Sequence, residues 1–245
     1  MKALLLNSGV GNRMGNLTKH SPKCMCAIGA GYTILSRQLY QIAEAGLREV
    51  VITVGPFAGL VKEHVAGLNL PLHVTYVPNP LYSETNYIYS MHLAAEHLDD
   101  DILLLHGDLV LESSVLSDLI ASKKSMVAVD STLPLPDKDF KARVQNGRVT
   151  AIGIEFFGTD CVACQPAYSF AREDFTSWMK AIGEFCQGGQ RKVYAENAFN
   201  AQNGAIPLHP LELNGRLCNE IDNLDDLEAV SRRFLQTLQE GTIDA

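Results

Sequence analysis

The chain has 245 residues, 47% hydrophobic and 20% charged, with a formal net charge of −8. That size can bury a substantial core as one domain. The acidic balance excludes broad nucleic-acid binding, which needs a basic footprint, and no apolar run approaches the roughly 18 residues of a membrane span. The opening Met1–Leu6 is too short an apolar run for a signal peptide before polar Asn7. Six cysteines fit free thiols in a reducing compartment, so a cytoplasmic location is expected. Cys161-Val-Ala-Cys164 is a lone CxxC without the second pair that zinc would need, and reads as structural.

Residues 2–6 read as a buried strand. It opens into Asn7-Ser8-Gly9-Val10-Gly11-Asn12-Arg13-Met14-Gly15, and Pro22-Lys23 follows. Glycines let backbone N–H groups approach a ligand, and successive free N–H groups suit phosphate oxygens. Arg13 adds a planar fork and Lys23 a compact charge. The stretch reads as a seat for a nucleoside triphosphate. Candidate nucleotide-binding residues are Asn7, Ser8, Gly9, Gly11, Asn12, Arg13 and Lys23, with Arg13 and Lys23 as candidate catalytic cations. A phosphate loop of the Gly-Lys-Ser/Thr kind is excluded because Lys23 follows Pro22. The dinucleotide fingerprint is excluded because Gly9, Gly11 and Gly15 miss its spacing. The pattern Gly-x-Gly-x-Arg-Met, Leu-Thr, Pro-Lys after a first strand resembles the nucleotidyltransferases that activate sugar and alcohol phosphates. It looks closest to cytidylyltransferases acting on phosphocholine or aminoalkylphosphonates. Asn7-Ser8 stands where many members have two alanines.

Thr33–Ala45 reads as a helix with Ile34, Leu35, Leu39 and Ile42 on one face, ended by Gly46. Val50–Val54 is a continuous β-branched run typical of a parallel strand covered on both faces. A short helix at Leu60–Ala66 and a strand at His73–Val77 continue the alternation, which implies βαβ units. Asn79-Pro80 is a turn, and Thr85 or Asn86 can cap a helix from Tyr87 to His97. The resemblance places this segment beside the base and the acceptor. It implies Asn79, Ser83, Thr85 and Asn86 for the nucleotide and Tyr87 for the acceptor. Asp101–His106 is a strand ending in Gly107-Asp108. Ligands of open α/β sheets bind beyond the carboxyl ends of strands, so Asp108 can hold Mg²⁺ there. Many relatives have Asp-x-Asp; here Asp108-Leu109-Val110 lacks the second acid.

A helix at Ser113–Ser122 and a strand at Met126–Val129 follow, then a hairpin about Asn146-Gly147. This reads as an antiparallel acceptor-side insertion over roughly 131–165, not a second domain. The resemblance implies a lysine hereabouts that contacts phosphate, taken as Lys141; a solvated surface lysine is the alternative. A helix is expected over Phe170–Glu184. Tyr194 and Glu196 would then face the acceptor's positive nitrogen, or simply open a helix. Asn219–Leu227 leads into a closing helix ending near Leu238. The resemblance makes Asp222 a second metal ligand with Asp108, and Glu220 a helper; helix capping is the other role for this acidic cluster. The seven histidines show no paired spacing and are assigned no role.

The expected fold is a single Rossmann-like α/β domain over 1–245, with a mostly parallel sheet flanked by helices. The expected activity is Mg²⁺-dependent transfer of CMP from CTP to phosphocholine, phosphoethanolamine, 2-aminoethylphosphonate or a similar monoester. A homodimer is compatible with these features. The alternatives are a sugar-1-phosphate nucleotidyltransferase using UTP or dTTP, and a nucleotide-binding regulatory domain without turnover.

Overall fold

The computed structural model describes residues 1–241, apart from the side chain of Asn12. In chain order it begins with β1 (Lys2–Asn7), β2 (Ala27–Gly29), β3 (Tyr32–Thr33), α1 (Ile34–Glu44), β4 (Glu49–Val54), α2 (Ala58–Gly67) and β5 (His73–Pro78). Next come α3 (Tyr87–Ala94), β6 (Ile102–His106), β7 (Leu109–Leu111), α4 (Ser113–Ala121), β8 (Met126–Asp130), β9 (Lys141–Gln145) and β10 (Arg148–Gly153). The chain closes with β11 (Cys161–Phe170), α5 (Arg172–Gln187), α6 (Ala195–Asn200), β12 (His209–Glu212), β13 (Cys218–Glu220) and α7 (Leu224–Gln239).

The central sheet runs β10-β9-β11-β6-β1-β4-β5, with β8 and β12 joined through β11. β1 lies parallel to β4 and β6, and β4 parallel to β5. Side chains alternate across a strand, and both faces here are covered. Leu4 and Leu6 of β1 therefore enter one core with Ile88, Met91, Phe175 and Trp178. Ala3 and Leu5 enter the opposite core with Leu35, Leu39, Val115 and Leu119. A third cluster joins Met14, Ile28, Val110, Ile221 and Phe234, fastening the glycine loop to α7. The helix ends are satisfied locally. Thr33 caps α1 through a reciprocal bond with Ser36, and Asn223 caps α7 through one with Asp226.

One expectation is corrected. Phe170 ends a ten-residue strand, and the helix begins only at Arg172. That strand, β11, pairs antiparallel with β6 in the middle of the sheet. The hairpin β9–β10 then continues the same sheet through β11. The region read as an insertion over 131–165 thus contributes part of the central sheet. Its Asn146-Gly147 turn has φ of 52° and 71°, the pair of positive values that a type I′ turn needs.

Trp178 is 1% exposed and donates its indole N–H to the carbonyl of Ala195 at 3.0 Å. Trp178→Ala is expected to cost about 3–5 kcal/mol, read as a lower denaturant midpoint in equilibrium unfolding.

Candidate active site

The parallel strands β1, β4, β5 and β6 all end at one edge of the sheet, at Asn7, Val54, Pro78 and His106. The glycine loop covers that edge as two short 3₁₀ turns, Asn12–Thr18 and Lys23–Met25. Thr18 Oγ1 donates to the Gly11 carbonyl at 2.9 Å. Gly11 has φ of 68°, and a Cβ there would stand 2.9 Å from Lys23 Cβ. Glycine is required for the lysine stem to pack so closely.

The distant acids arrive by a second device. β13 pairs antiparallel with β7, placing Glu220 opposite Leu109, and Ile221 N donates to the Asp108 carbonyl at 3.0 Å. The α7 cap then fixes Asp222 and Asn223. Asp226 Oδ2 accepts from the backbone N–H of Asp222 at 3.0 Å and of Asn223 at 3.1 Å. Asp108 and Asp222 therefore converge on one side chain. Lys23 Nζ lies 2.5 Å from Asp108 Oδ2 and 2.9 Å from Asp222 Oδ1, and Arg13 Nη2 lies 2.8 Å from the same Asp222 oxygen. The Lys23 side chain is 14% exposed and that of Arg13 70%, so the lysine is built into the floor while the arginine reaches in from the loop.

Burial pulls the Lys23 ammonium down, but Asp108 and Asp222 outweigh it and hold Lys23 above the usual lysine value. Burial pushes the Asp108 carboxyl up, and Lys23 and His106 bring it below its usual range. Glu220 is pushed up to about 7 by burial and by Asp108, against the pull of His106. His106 itself stands at the acid cluster, with Nδ1 3.2 Å from Glu220 Oε1. Spacing along the chain assigns no role to it. The signal was its place, the last residue of a strand that ends at the binding edge.

A cleft of about 410 Å³ opens over these groups, lined also by Asn7, Gly9, Gly11, Asn86, Tyr87 and Tyr194. Asn7 is buried behind Gly107, where a Cβ would come within 1.9 Å of Asn7 Oδ1, and its Nδ2 makes no hydrogen bond among the described residues. A smaller cavity of about 180 Å³ adjoins it. Its floor is a polar chain. Asn79 Nδ2 donates to Thr85 Oγ1 at 3.1 Å and to Ser90 Oγ at 3.0 Å, and Ser90 Oγ donates to Ser8 Oγ at 3.1 Å. Asn79 Oδ1 accepts from Leu81 N at 2.9 Å. Asn79 is therefore engaged in holding the floor, whereas Asn86, the cap of α3, lines both cavities. Ser83 is exposed and lines neither. The side chain of Asn12 lies outside the described residues.

The far wall is aromatic. Tyr194 lies 6.0 Å from Tyr87 and 5.1 Å from Phe140, centroid to centroid. A further cavity of about 340 Å³ continues past Phe140 and Tyr194 to Glu196. Glu196 is 1% exposed and accepts from the hydroxyls of Tyr87 and of Tyr168, the latter at 2.8 Å. Burial and the Glu196 charge hold both tyrosines well above the usual value, so they remain donors. Lys141 is not at this cleft. It is fully buried, donates to the Pro136 carbonyl at 2.6 Å and lies over the Phe157 ring at 4.1 Å. Lys138 lines the cleft instead. All six cysteines are buried free thiols; burial pushes Cys24, next to Lys23, up to about 12.

A hard divalent cation fits this donor set, since Asp108 Oδ1 is buried without a hydrogen bond among the described residues beside further carboxylate oxygen.

The description MobA-like NTP transferase domain matches residues 3–241. The chain belongs to that family. Among relatives of this MobA-like transferase, a CMP-5′-(3-aminopropyl)phosphonate synthase of Streptomyces rubellomurinus is 38% identical over 135 residues, covering 55% of this chain but only 21% of that protein. A choline-phosphate cytidylyltransferase of Streptococcus pneumoniae is 24% identical over 92% of this chain and 95% of its own length. The solved CTP:phosphocholine cytidylyltransferase from Streptococcus pneumoniae shares the fold, with a TM-score of 0.79 and 17% identity over 95% of this chain and 98% of that one. No helix among the described residues is long and apolar enough to cross a membrane.

Tyr87→Phe removes one of the two donors to buried Glu196 and is expected to cost about 1–3 kcal/mol of stability. Tyr194→Phe, at a side chain 38% exposed, is expected to stay within about 0.5 kcal/mol. Paired chemical-denaturation curves check both.

Proposed function

We propose that this chain is a cytidylyltransferase, transferring CMP from CTP to a small phosphate or phosphonate monoester with a cationic head group. The observation that carries the reading is the convergence of Lys23 and Arg13 on Asp108 and Asp222, at a cleft open toward both the polar floor and the aromatic wall. CTP as donor is supported by the names of the relatives. A cationic acceptor is supported by the Tyr87–Tyr194–Phe140 wall, since ring faces attract ammonium groups, and by the Glu196 charge behind it. Phosphocholine, phosphoethanolamine and aminoalkylphosphonates share that chemistry.

In the reaction an anionic oxygen of the acceptor attacks the α-phosphorus of CTP in line. The new O–P bond forms as the bond to the β-phosphate bridge breaks, and pyrophosphate leaves. The attacking oxygen is already anionic at neutral pH, so no general base is needed. The chain's task is to position the reactants and neutralise charge. Arg13 and Lys23 reach the triphosphate oxygens, with the backbone N–H groups of the glycine loop beneath. Asn86 and the floor built on Asn79, Thr85, Ser90 and Ser8 take the cytidine end. Lys138, standing in the cleft where Lys141 does not, takes the acceptor's phosphate or phosphonate. Asp108 and Asp222, with Glu220 beside them, would hold Mg²⁺, which when bound adds positive charge against the phosphoryl oxygens.

Pyrophosphate release is expected with CTP, Mg²⁺ and at least one zwitterionic acceptor, and is expected to stop on chelation. Lys23→Ala is expected to lower turnover by about 10²–10³ while the protein stays folded by circular dichroism. Release only with UTP or dTTP and a sugar 1-phosphate would replace this reading. CTP binding with no release from any acceptor would turn it into a nucleotide-binding regulatory domain.

A further inference from the structure

Lys141 opens β9, and its backbone is fixed between two strands, opposite Gly153 of β10 and Ala163 of β11. Its side chain is buried, 0% exposed. Its ammonium donates to the Pro136 carbonyl at 2.6 Å, stands 3.5 Å from the Asp137 carbonyl and lies 4.1 Å from the centroid of the Phe157 ring. No carboxylate pairs with it among the described residues. Arg143, two residues on and so on the same face of the strand, lies over the Phe156 ring at 4.6 Å.

Residues 133–139 form no helix or strand. Among the described residues, the hydrogen bonds that reach them come only from Lys141. Yet this stretch supplies Lys138 and Asp139 to the cleft, Phe140 follows them, and the β10–β11 connection supplies Ile154. One ammonium therefore ties together two connections that both line the cleft. A buried charge without a counter-ion is costly, and a carbonyl and a ring face compensate it less than a carboxylate does. An apolar side chain would fill the same space without that cost. What the ammonium adds is a bond that holds the loop.

We propose that Lys141 is a positioning residue: it latches residues 136–140 to Phe157, fixes Lys138 at the cleft and so sets the affinity for the acceptor's phosphate or phosphonate. The proposal rests on the acceptor side of the function read above, and it gives a residue outside the cleft control over how tightly the acceptor is held. The nucleotide end is built on Asn79, Thr85, Ser90 and Ser8, which none of the Lys141 contacts reaches. The two substrates therefore respond differently to loss of the latch.

The test uses the full chain. Lys141→Met keeps the length of the side chain and removes its charge. Kinetics use whichever of phosphocholine, phosphoethanolamine and 2-aminoethylphosphonate the wild-type protein turns over. In K141M the KM for that acceptor is expected to rise about tenfold or more, with the KM for CTP within about twofold, as loss of a hydrogen bond to a charged group implies. Backbone ¹⁵N relaxation without substrates gives a second reading. Order parameters at Asp137, Lys138 and Asp139 are expected at about 0.85 in the wild type and below about 0.6 in K141M. An unchanged acceptor KM in folded K141M, equal rises for both substrates, or order parameters that do not fall would each overturn the proposal. Should K141M not fold, F157L, at a side chain 56% exposed, is expected to raise the acceptor KM alone by about two- to tenfold; an unchanged value there overturns the latch, as do wild-type order parameters already below about 0.6. A wild-type protein that releases no pyrophosphate, with order parameters that fall as expected in K141M, leaves the latch standing and rejects the transferase reading. Turnover with unmoved order parameters rejects the latch alone.

Discussion

One ammonium group from the start of the chain stands between two carboxylates, one from its middle and one from near its end. Lys23 joins the glycine loop to the β6–β7 turn through Asp108 and to the approach of α7 through Asp222. The β7–β13 pair that brings the second acid to the first is short, three residues on each strand. Removing one partner of such a pair leaves an uncompensated charge in poor contact with water, which typically costs about 3–5 kcal/mol. The charges that assemble the pocket are also the charges available to a polyanion. Structure and chemistry are therefore hard to separate by mutation at this point.

Much of the fold was legible because the parallel strands are buried on both faces. Val50–Val54 and Ile102–Leu105 read as strands because no position needs to be polar. The end of α1 was legible through Gly46, which acts locally. β11 was not legible. It carries Gln165 and Pro166 inside an apolar stretch, its register shifts between Cys164 and Tyr168, and Phe170 has the spacing of the helix beyond it. Strands as short as β7 and β13 exist only because each finds the other across about a hundred residues, a tertiary fact with no local signature.

The same division applies to the cleft. Arg13, Lys23 and Asp108 could be named from their neighbours in sequence and Asp222 from the family resemblance; Lys23 pairs with both acids and Arg13 with Asp222. Lys141, the expected phosphate contact, is buried where β9 begins, and Lys138 lines the cleft instead. His106 looked like any isolated histidine until the sheet order put its strand beside β1. Asn79 has the sequence setting of a ligand contact, but its amide is consumed in joining two hydroxyls. Buried polar side chains must be satisfied, and with what is a question for the folded state.

The smaller cavity is lined wholly by residues numbered 108 or lower, whereas the one behind the aromatic wall draws, Asn86 aside, on residues 140–197. The two smaller cavities thus draw on different stretches of the chain, while Tyr87 ties the wall to the earlier one. Substitutions at Phe140 and Tyr194 could recut the wall for a new partner molecule without touching the polar floor around Asn79.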